Sequence, residues 1–507
     1  MNSRRGLLLR LSALSGAVGL SGCSSLLARQ AESPTGDLDP NPRADELPRR
    51  QHAWNEHLRS DAAGNDLLPR HFRLFMLNLD GSPSDSAAET VELAMRTLED
   101  AYEFTSSGLL HMLGWGTSYF DTYGSLDSSP IRSPRVLSRT DNPDLQSFDA
   151  MLVLASDVPS HLAATESAMF DTRPTLADAE IQGRLGNVFS VADRRGGFIG
   201  GGLPAAHADA EGVPADIPEE SYMFSGFFAG RAGTQASEDR VTIDDGPYAG
   251  GTTIHLSRIN EAFDNWWELA QSDRVKRLFS AEFSPEDIDR GDLPFADMVR
   301  EHASTDGEVG HFEKVARARR DGEPILLRRD FNTIDGGQAG LHFLSLQEHP
   351  RDFEEVRDAM NGWWLREEHE ELRDRQNNGL LEFIEVASRS NFYVPPRDKR
   401  AFPAHSCRPR VGWGHQNSTK PDVGSGSLLV VVRCRVVLVH VTRPDAVVPD
   451  LEIVERLCRT PGFPLALFMC HCILTITVAG LKFWCRHSDG APGGFCSSVT
   501  WSRNALA

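Results

Sequence analysis

The sequence predicts an α+β fold made of a duplicated ferredoxin-like unit, two antiparallel sheets with helices packed on them. Three observations lead there. Between Leu67 and about residue 195, short apolar runs of strand length and segments of helical period follow the order strand, helix, strand, strand, helix, strand. The same order returns from Thr253 to about Pro396. The chain has 507 residues, 40% of them hydrophobic, which is enough for two or three domains with ordinary cores.

In the first copy, residues 72–79 form an apolar strand that Gly81-Ser82-Pro83 turns. Ser86 and Glu89 have capping-box spacing, and Val91, Met95, Leu98 and Tyr102 then recur on one helical face. Residues 109–113 read as a strand running into Gly114-Trp115-Gly116-Thr117-Ser118-Tyr119-Phe120; residues 150–155 as a strand, 160–169 as a helix and 188–192 as a buried run. In the second copy, residues 253–259 read as a strand, and Asn260 as the N-cap of a helix over 261–270 that carries Trp266 and Trp267. Residues 325–329 and 341–346 are further strands. A closing helix aligns Phe353, Val356, Met360 and Trp363 on one face, a pattern that predicts core packing.

The two ends differ from this body. Ser3-Arg4-Arg5, an apolar run over 7–20 and Leu20-Ser21-Gly22-Cys23 have the pattern of a twin-arginine export signal ending in a lipobox. Residues 1–23 are therefore expected to be a Tat-type lipoprotein signal with Cys23 as the lipidated residue, anchoring the protein to the outer face of the membrane. The competing reading is a transmembrane anchor, for which the run is shorter than the roughly 20 residues a spanning helix needs. Residues 24–66, with Pro34, Pro40, Pro42 and many charges, are expected to be a flexible tether. From residue 401 the composition breaks. Seven of the eight cysteines lie there, with eleven basic and six acidic residues, so this tail carries about +5 against −20 for the whole chain. An extension read out of frame, a membrane span over 463–481, and a Cys/His site at Cys470, His471 and Cys472 all fit that composition. The acidic, lysine-poor chain, with five lysines among its 52 basic residues, resembles proteins of salt-loving organisms and argues against nucleic acid as a partner.

The chemistry-bearing stretch is residues 310–340, GHFEKVARARRDGEPILLRRDFNTIDGGQAG. It places His311 before a helix-like basic run and the pair Arg328-Arg329 seventeen residues later, at the end of an apolar run. GHFEK and ILLRRDF, with the earlier GWGTSYF and the ending Asn391-Phe392-Tyr393-Val394-Pro395, resemble motifs of the dye-decolourising peroxidases. That resemblance implies a duplicated ferredoxin-like fold whose two sheets pair, and haem b as cofactor. It also implies hydrogen peroxide and a separate reductant as reactants, with room for a homo-oligomer. It makes His311 the axial iron ligand, with His255, His302 and His342 as other histidines able to take that place. Arg328 becomes the catalytic distal cation, Arg329 a second haem-side arginine and Glu382 the acidic partner of the ligand.

The sequence departs from the family at GGFIGGGLP. Where family members carry an aspartate that moves a proton between peroxide oxygens, Gly200 stands. Glycine holds no proton, although it can let backbone approach a cofactor. The expected organisation is thus a signal (1–23), a tether (24–66), an N-terminal ferredoxin-like domain (67–195), a haem-binding second one (196–400) and the tail (401–507). The leading function is a haem peroxidase-like oxidoreductase. A haem-binding protein without turnover, and a haem-free scaffold, are the alternatives.

Overall fold

The computed structural model describes residues 47–124, 126–214, 217–290, 307–374 and 377–403, and the backbone of four short strands beyond them. The expected signal with Cys23, His302 and the Cys470-His471-Cys472 cluster lie outside the described residues. The chain divides into two units, Met1–Ala404 and His405–Ala507.

In the first unit, β1 (His71–Leu79), α1 (Asp85–Ala101), β2 (Leu110–Gly116), β3 (Ala150–Ser156), α2 (Pro159–Phe170) and β4 (Phe189–Phe198) follow the predicted order. Their sheet runs β4-β1-β3-β2 with every neighbour antiparallel, the ferredoxin-like arrangement. The second copy is β5 (Thr252–Glu261), α3 (Gln271–Leu278), α4 (His311–Ala316), β6 (Leu327–Arg328), β7 (Phe331–Thr333), β8 (Gly340–Gln347), α5 (Pro350–Asn361) and β9 (Ile384–Val394). Here β9 pairs with β5, β5 with β8, and both β6 and β7 pair with β8, so the same strand order recurs.

The two sheets join at both ends. β9 pairs with β2 through Phe392–Gly116 and Tyr393–Trp115, and β7 meets β4 at the single pair Asn332–Phe198. The buried Asn332 amide reinforces that pair: it donates to the Phe198 and Tyr222 carbonyls at 3.0 and 3.1 Å and accepts from the Phe224 N–H at 2.9 Å. These short contacts close the strands into a ring, although most of the outer edge of β4 has no strand partner among the described residues. Alternation along β1 then fills two layers. Phe72, Leu74 and Met76 point between the sheets to meet Ile254, Leu256 and Leu344, while Phe75 and Leu77 pack outward under Val91, Met95 and Leu98 of α1.

Several local expectations need correction. The N-cap of α1 is Ser84, which accepts from the Ala87 N–H at 3.1 Å; Ser86 lies inside the first turn, where its carbonyl accepts from Thr90. Gly114–Gly116 belong to β2, and the helix Thr117–Tyr123 follows. No helix covers 261–270. Pairing of Ile259, Asn260 and Glu261 with β9 keeps β5 extended to Glu261, and a single turn, Asp264–Trp267, comes next. β4 crosses the expected domain boundary at 195/196. The expected tether is shorter, because Gln51 and Trp54 are fully buried. The Gln51 amide bonds the Leu113 backbone and the Pro395 carbonyl, which ties this segment to the closing strands.

In the second unit, the valine-rich run forms a hairpin of Ser427–Val432 with Arg435–His440, and Ile476–Thr477 pairs with Gly480–Leu481. Among the described residues, no helix is long and apolar enough to cross a membrane.

Ring closure at β4 depends on the absence of a side chain. A Cβ at Gly197 would sit 2.1 Å from the Asn332 carbonyl oxygen, a backbone atom that cannot swing away, and 2.4 Å from the Phe331 ring. Gly197→Ala is expected to cost on the order of 3 kcal/mol in urea unfolding. Gly196→Ala, whose nearest contact would be 3.8 Å away, should cost well under 1 kcal/mol. Equal effects at the two positions would show that the close approach does not hold the sheets together.

Candidate functional site

Sheet alternation in the second copy builds a cavity of about 200 Å³ between the outer face of its sheet and helices α4 and α5. Ser257, Ile259 and Glu261 of β5 line it, with Leu341 and Phe343 of β8 and Arg328 and Asp330 at β6, each set two residues apart. β9 contributes Ile384, Val386 and then Arg389 rather than residue 388. The irregular step is a bulge: Arg258 pairs with Ser388 while Ile259 pairs with Val386, leaving Ala387 unmatched. One extra residue reverses which side chains face the helices, and this brings Arg389 to the wall.

His311 opens α4. Gly310 before it fits against the carbonyl of Phe279, where a Cβ would come within 2.0 Å, and its N–H donates to the Glu313 carboxylate at 2.7 Å. The glycine of the Gly-His pair is therefore what lets α4 seat on the end of α3. His311 lines the cavity, and its Nδ1 is buried without a hydrogen-bond partner. Burial first, then the charges of Lys314, Arg328 and Arg357, pull its pKa to about 3, so the ring is neutral at ordinary pH. His255 and His342 are committed elsewhere. His255 stacks on Phe353 and bonds Asn391 and Ser257 through both nitrogens at 2.8 and 2.7 Å. His342 bonds Asp335 at 2.9 Å, off the cavity wall.

The arginine pair is split by the strand. Arg328 faces the cavity, its Nη1 3.4 Å from Asp330 Oδ2 and its backbone N–H bonded to Gln235. Arg329 turns the other way: its guanidinium donates to Asn55 at 2.5 Å and Glu238 at 3.2 Å, and lies over the Trp54 ring. The expectation of two arginines beside a ligand is corrected to one, with Arg329 clamping the N-terminal segment. Gly200 and Glu382 are also corrected. Gly200 adopts φ +126° in the turn after β4, where an added Cβ would have only Arg70 within 4 Å, and it is not on the cavity wall. Glu382 is exposed, with a carboxylate oxygen 4.0 Å from Arg277 Nε, and does not accept from His311 Nδ1.

The structure adds groups that sequence reasoning did not select. Arg357 of α5 and Arg389 are buried at the wall and share one carboxylate. Arg357 Nη2 lies 2.9 Å from both Asp141 oxygens, and Arg389 Nη2 lies 2.6 Å from Oδ2. Two cations face one anion there, and Arg357 Nε, Arg389 Nε and Arg389 Nη1 have no hydrogen-bond partner. Glu261 is buried without a partner charge, and burial pushes its carboxyl up to about 8; Asp330, also buried, is pushed up to about 6 against the pull of Arg328. Arg357 was within reach of the sequence, since it follows Phe353 by four on the apolar helix face. Arg389 was not, because a bulge leaves no period to read. Phe353, Val356 and Met360, expected as core, line the cavity, while Trp363 starts the next helix beyond Gly362.

A family model described as a family of unknown function, DUF7405, matches residues 69–396. No curated protein matches the sequence. Among solved structures, a putative DyP-type peroxidase from Shewanella oneidensis is 16% identical at a TM-score of 0.44, covering 67% of this chain and 95% of that one. A dye-decolorizing peroxidase from Bacteroides thetaiotaomicron is 14% identical at 0.44, covering 69% and 100%. A Rhodococcus jostii DypB variant in complex with heme is 14% identical at 0.42, covering 69% and 98%.

The unpaired Glu261 makes stability fall with rising pH. The folded chain holds a proton up to about pH 8, whereas the unfolded chain releases it near the ordinary value of 4.5. Its contribution is thus full below about 4.5 and is lost as pH rises to about 8. Glu261→Gln should match the parent at pH 4 and exceed it by up to ~4 kcal/mol at pH 8 in chemical unfolding. A constant difference across that range would mean that the carboxyl titrates normally.

Proposed function

The chain belongs to that family of unknown function, and we propose that its cavity binds haem b, with His311 as the axial ligand and Arg328 as the cation that meets peroxide. The observation that carries this reading is the neutral imidazole, with its unpartnered Nδ1, in the wall of an apolar cavity that Arg328, Arg357 and Arg389 also line. The residues present fit the group. Among the described residues, no three His, Cys, Asp or Glu side chains gather around a bare metal ion, and a porphyrin iron asks the protein for only one or two axial donors. Phe312, Phe343, Phe353 and Met360 offer an apolar surface for a tetrapyrrole, and the unused N–H groups of Arg357 and Arg389 suit two propionates.

Bound there, haem supplies the iron and the electrons with which a peroxide is split. The chain supplies the rest. His311 offers a nitrogen that stays unprotonated across the working pH range. Arg328 presents a planar fork of N–H donors that would orient a peroxide in the cavity. The apolar walls exclude water and so strengthen each of these interactions. The oxidant is hydrogen peroxide and the reductant a separate molecule. Ser3-Arg4-Arg5 and Leu20-Ser21-Gly22-Cys23 favour work outside the cytoplasmic membrane on a lipid anchor. A second reading, haem binding without turnover, is favoured by one observation: Gly200 puts no acid where the peroxidase motif carries its aspartate.

The full chain expressed with haem is expected to show a Soret band that His311→Ala abolishes or shifts. Arg357→Ala and Arg389→Ala should each weaken haem affinity by about 10- to 100-fold while leaving the band's position unchanged. A parent that takes up no haem, or a His311→Ala spectrum identical to the parent's, would sink the reading.

A further inference from the structure

We propose that Asp330 is the proton-transfer residue of this cavity, standing in for the acid that position 200 lacks. The inference rests on the haem reading and adds a residue to it. Strand alternation carries the placement: Arg328 and Asp330 sit on the cavity wall while Arg329 between them is turned to Asn55 and Glu238. Asp330 is 4% exposed, its Oδ2 lies 3.4 Å from Arg328 Nη1, and its Oδ1 has no hydrogen-bond partner. Held by one long ion contact and a backbone N–H of Leu344, with Oδ1 unpartnered, this buried carboxyl keeps its proton to higher pH than an exposed one, and burial raises it to about 6. Both forms are then populated near neutrality, as a group that takes and returns a proton requires.

The surroundings select this acid over the other one. Arg328 on its own segment and a backbone N–H of Leu344 on β8 favour the ionised form. Behind it lie Asp66 and Arg329, the latter bonded to Glu238, and across the cavity His311 stays neutral. Glu261 has no cation beside it and keeps its proton to about pH 8, so it can donate but does not readily accept. Gly200 cannot contribute, and its would-be Cβ has only Arg70 within reach. On hydrogen peroxide in the cavity, the Asp330 carboxylate accepts the proton of one oxygen and returns it to the other. The second oxygen then leaves as water with the electron pair of the broken O–O bond. No proton is consumed and Asp330 ends as it began; the electrons owed to the remaining oxygen are those of the haem and reductant named above. Arg328 orients the peroxide through its planar fork.

Cyanide, which binds haem iron as an anion after giving up a proton, reports the same group without turnover. With the full chain loaded with haem, equilibrium cyanide affinity is measured from pH 4 to 8. The parent is expected to show a break near pH 6. Asp330→Asn should lose that break and bind at least about 10-fold more weakly at pH 7 with an unchanged Soret band, and its reaction with peroxide should slow by about 10² to 10⁴. Asp330→Glu, which keeps an acid, should shift the break rather than remove it, and it serves if the asparagine variant does not fold. If haem binds in a His311-dependent way but Asp330→Asn keeps the parent's break and affinity, the role of Asp330 is refuted and the haem site stands. If the parent takes up no haem, both fall, and the haem titration alone reveals it.

Discussion

β9 has two tasks that cannot be separated, because its last residues close the ring of strands while its first residues form a wall of the cavity. Phe392 and Tyr393 pair with β2 of the first copy, and Ile384, Val386 and Arg389 face the helices of the second. A strand with strict alternation could meet both partners only by presenting residue 388 to the cavity. The unmatched Ala387 resolves this by shifting the phase between the two halves. The cavity face therefore depends on the same strand register that holds the sheets together. A slip of one residue in β9 would withdraw Arg389 and Asn391 together, and with them the contacts to Asp141 and His255.

Around that wall the electrostatics are unbalanced on purpose of position rather than of total charge. The chain is acidic at −20, yet at the cavity two buried arginines meet one aspartate, and the carboxyls nearest the apolar space are pushed toward their neutral forms. Surface acidity says nothing about this interior, because the charges that matter are those removed from water. Buried guanidiniums with unused N–H groups are costly when nothing fills them, since each N–H leaves a hydrogen bond to water. An anionic, largely apolar ligand would relieve that cost at two places at once, on the arginines and on the bare aromatic walls.

The strand order of both copies was legible because apolar runs and helical faces keep their periods through the chain. What was not legible follows from where period fails. Asn260 looked like a cap only because the pairing of Ile259 to Glu261 with β9 is a long-range fact. Motif spacing assigns both Arg328 and Arg329 to the ligand side, whereas strand alternation sends neighbours to opposite faces and separates them. The same alternation would have pointed past Arg329 to Asp330. Gly200 and Glu382 were placed by motif spacing, which fixes neither the turn that follows β4 nor the exposed turn that carries Glu382. Arg389 lay beyond any local signal, since its side depends on the bulge.

The two copies differ in the connections between their first and second strands, and the cavity described above lies beside that of the second. In the first copy this connection is α1, a single helix of 17 residues that lays Val91, Met95 and Leu98 across the sheet. Side chains of that length, on a helix running the width of the sheet, leave no room beneath it. In the second copy the helices that flank the corresponding space are α3, of 8 residues, and α4, of 6. At 1.5 Å per residue these cover about 12 and 9 Å, against about 25 Å for α1. Among the described residues the cavity lies beside them and α5, and the first residue of α4, His311, stands at its border because Gly310 seats that helix against Phe279. The two sheets thus share one strand order, and among the described residues the space that His311, Arg328 and Asp330 line lies where short helices flank the second of them.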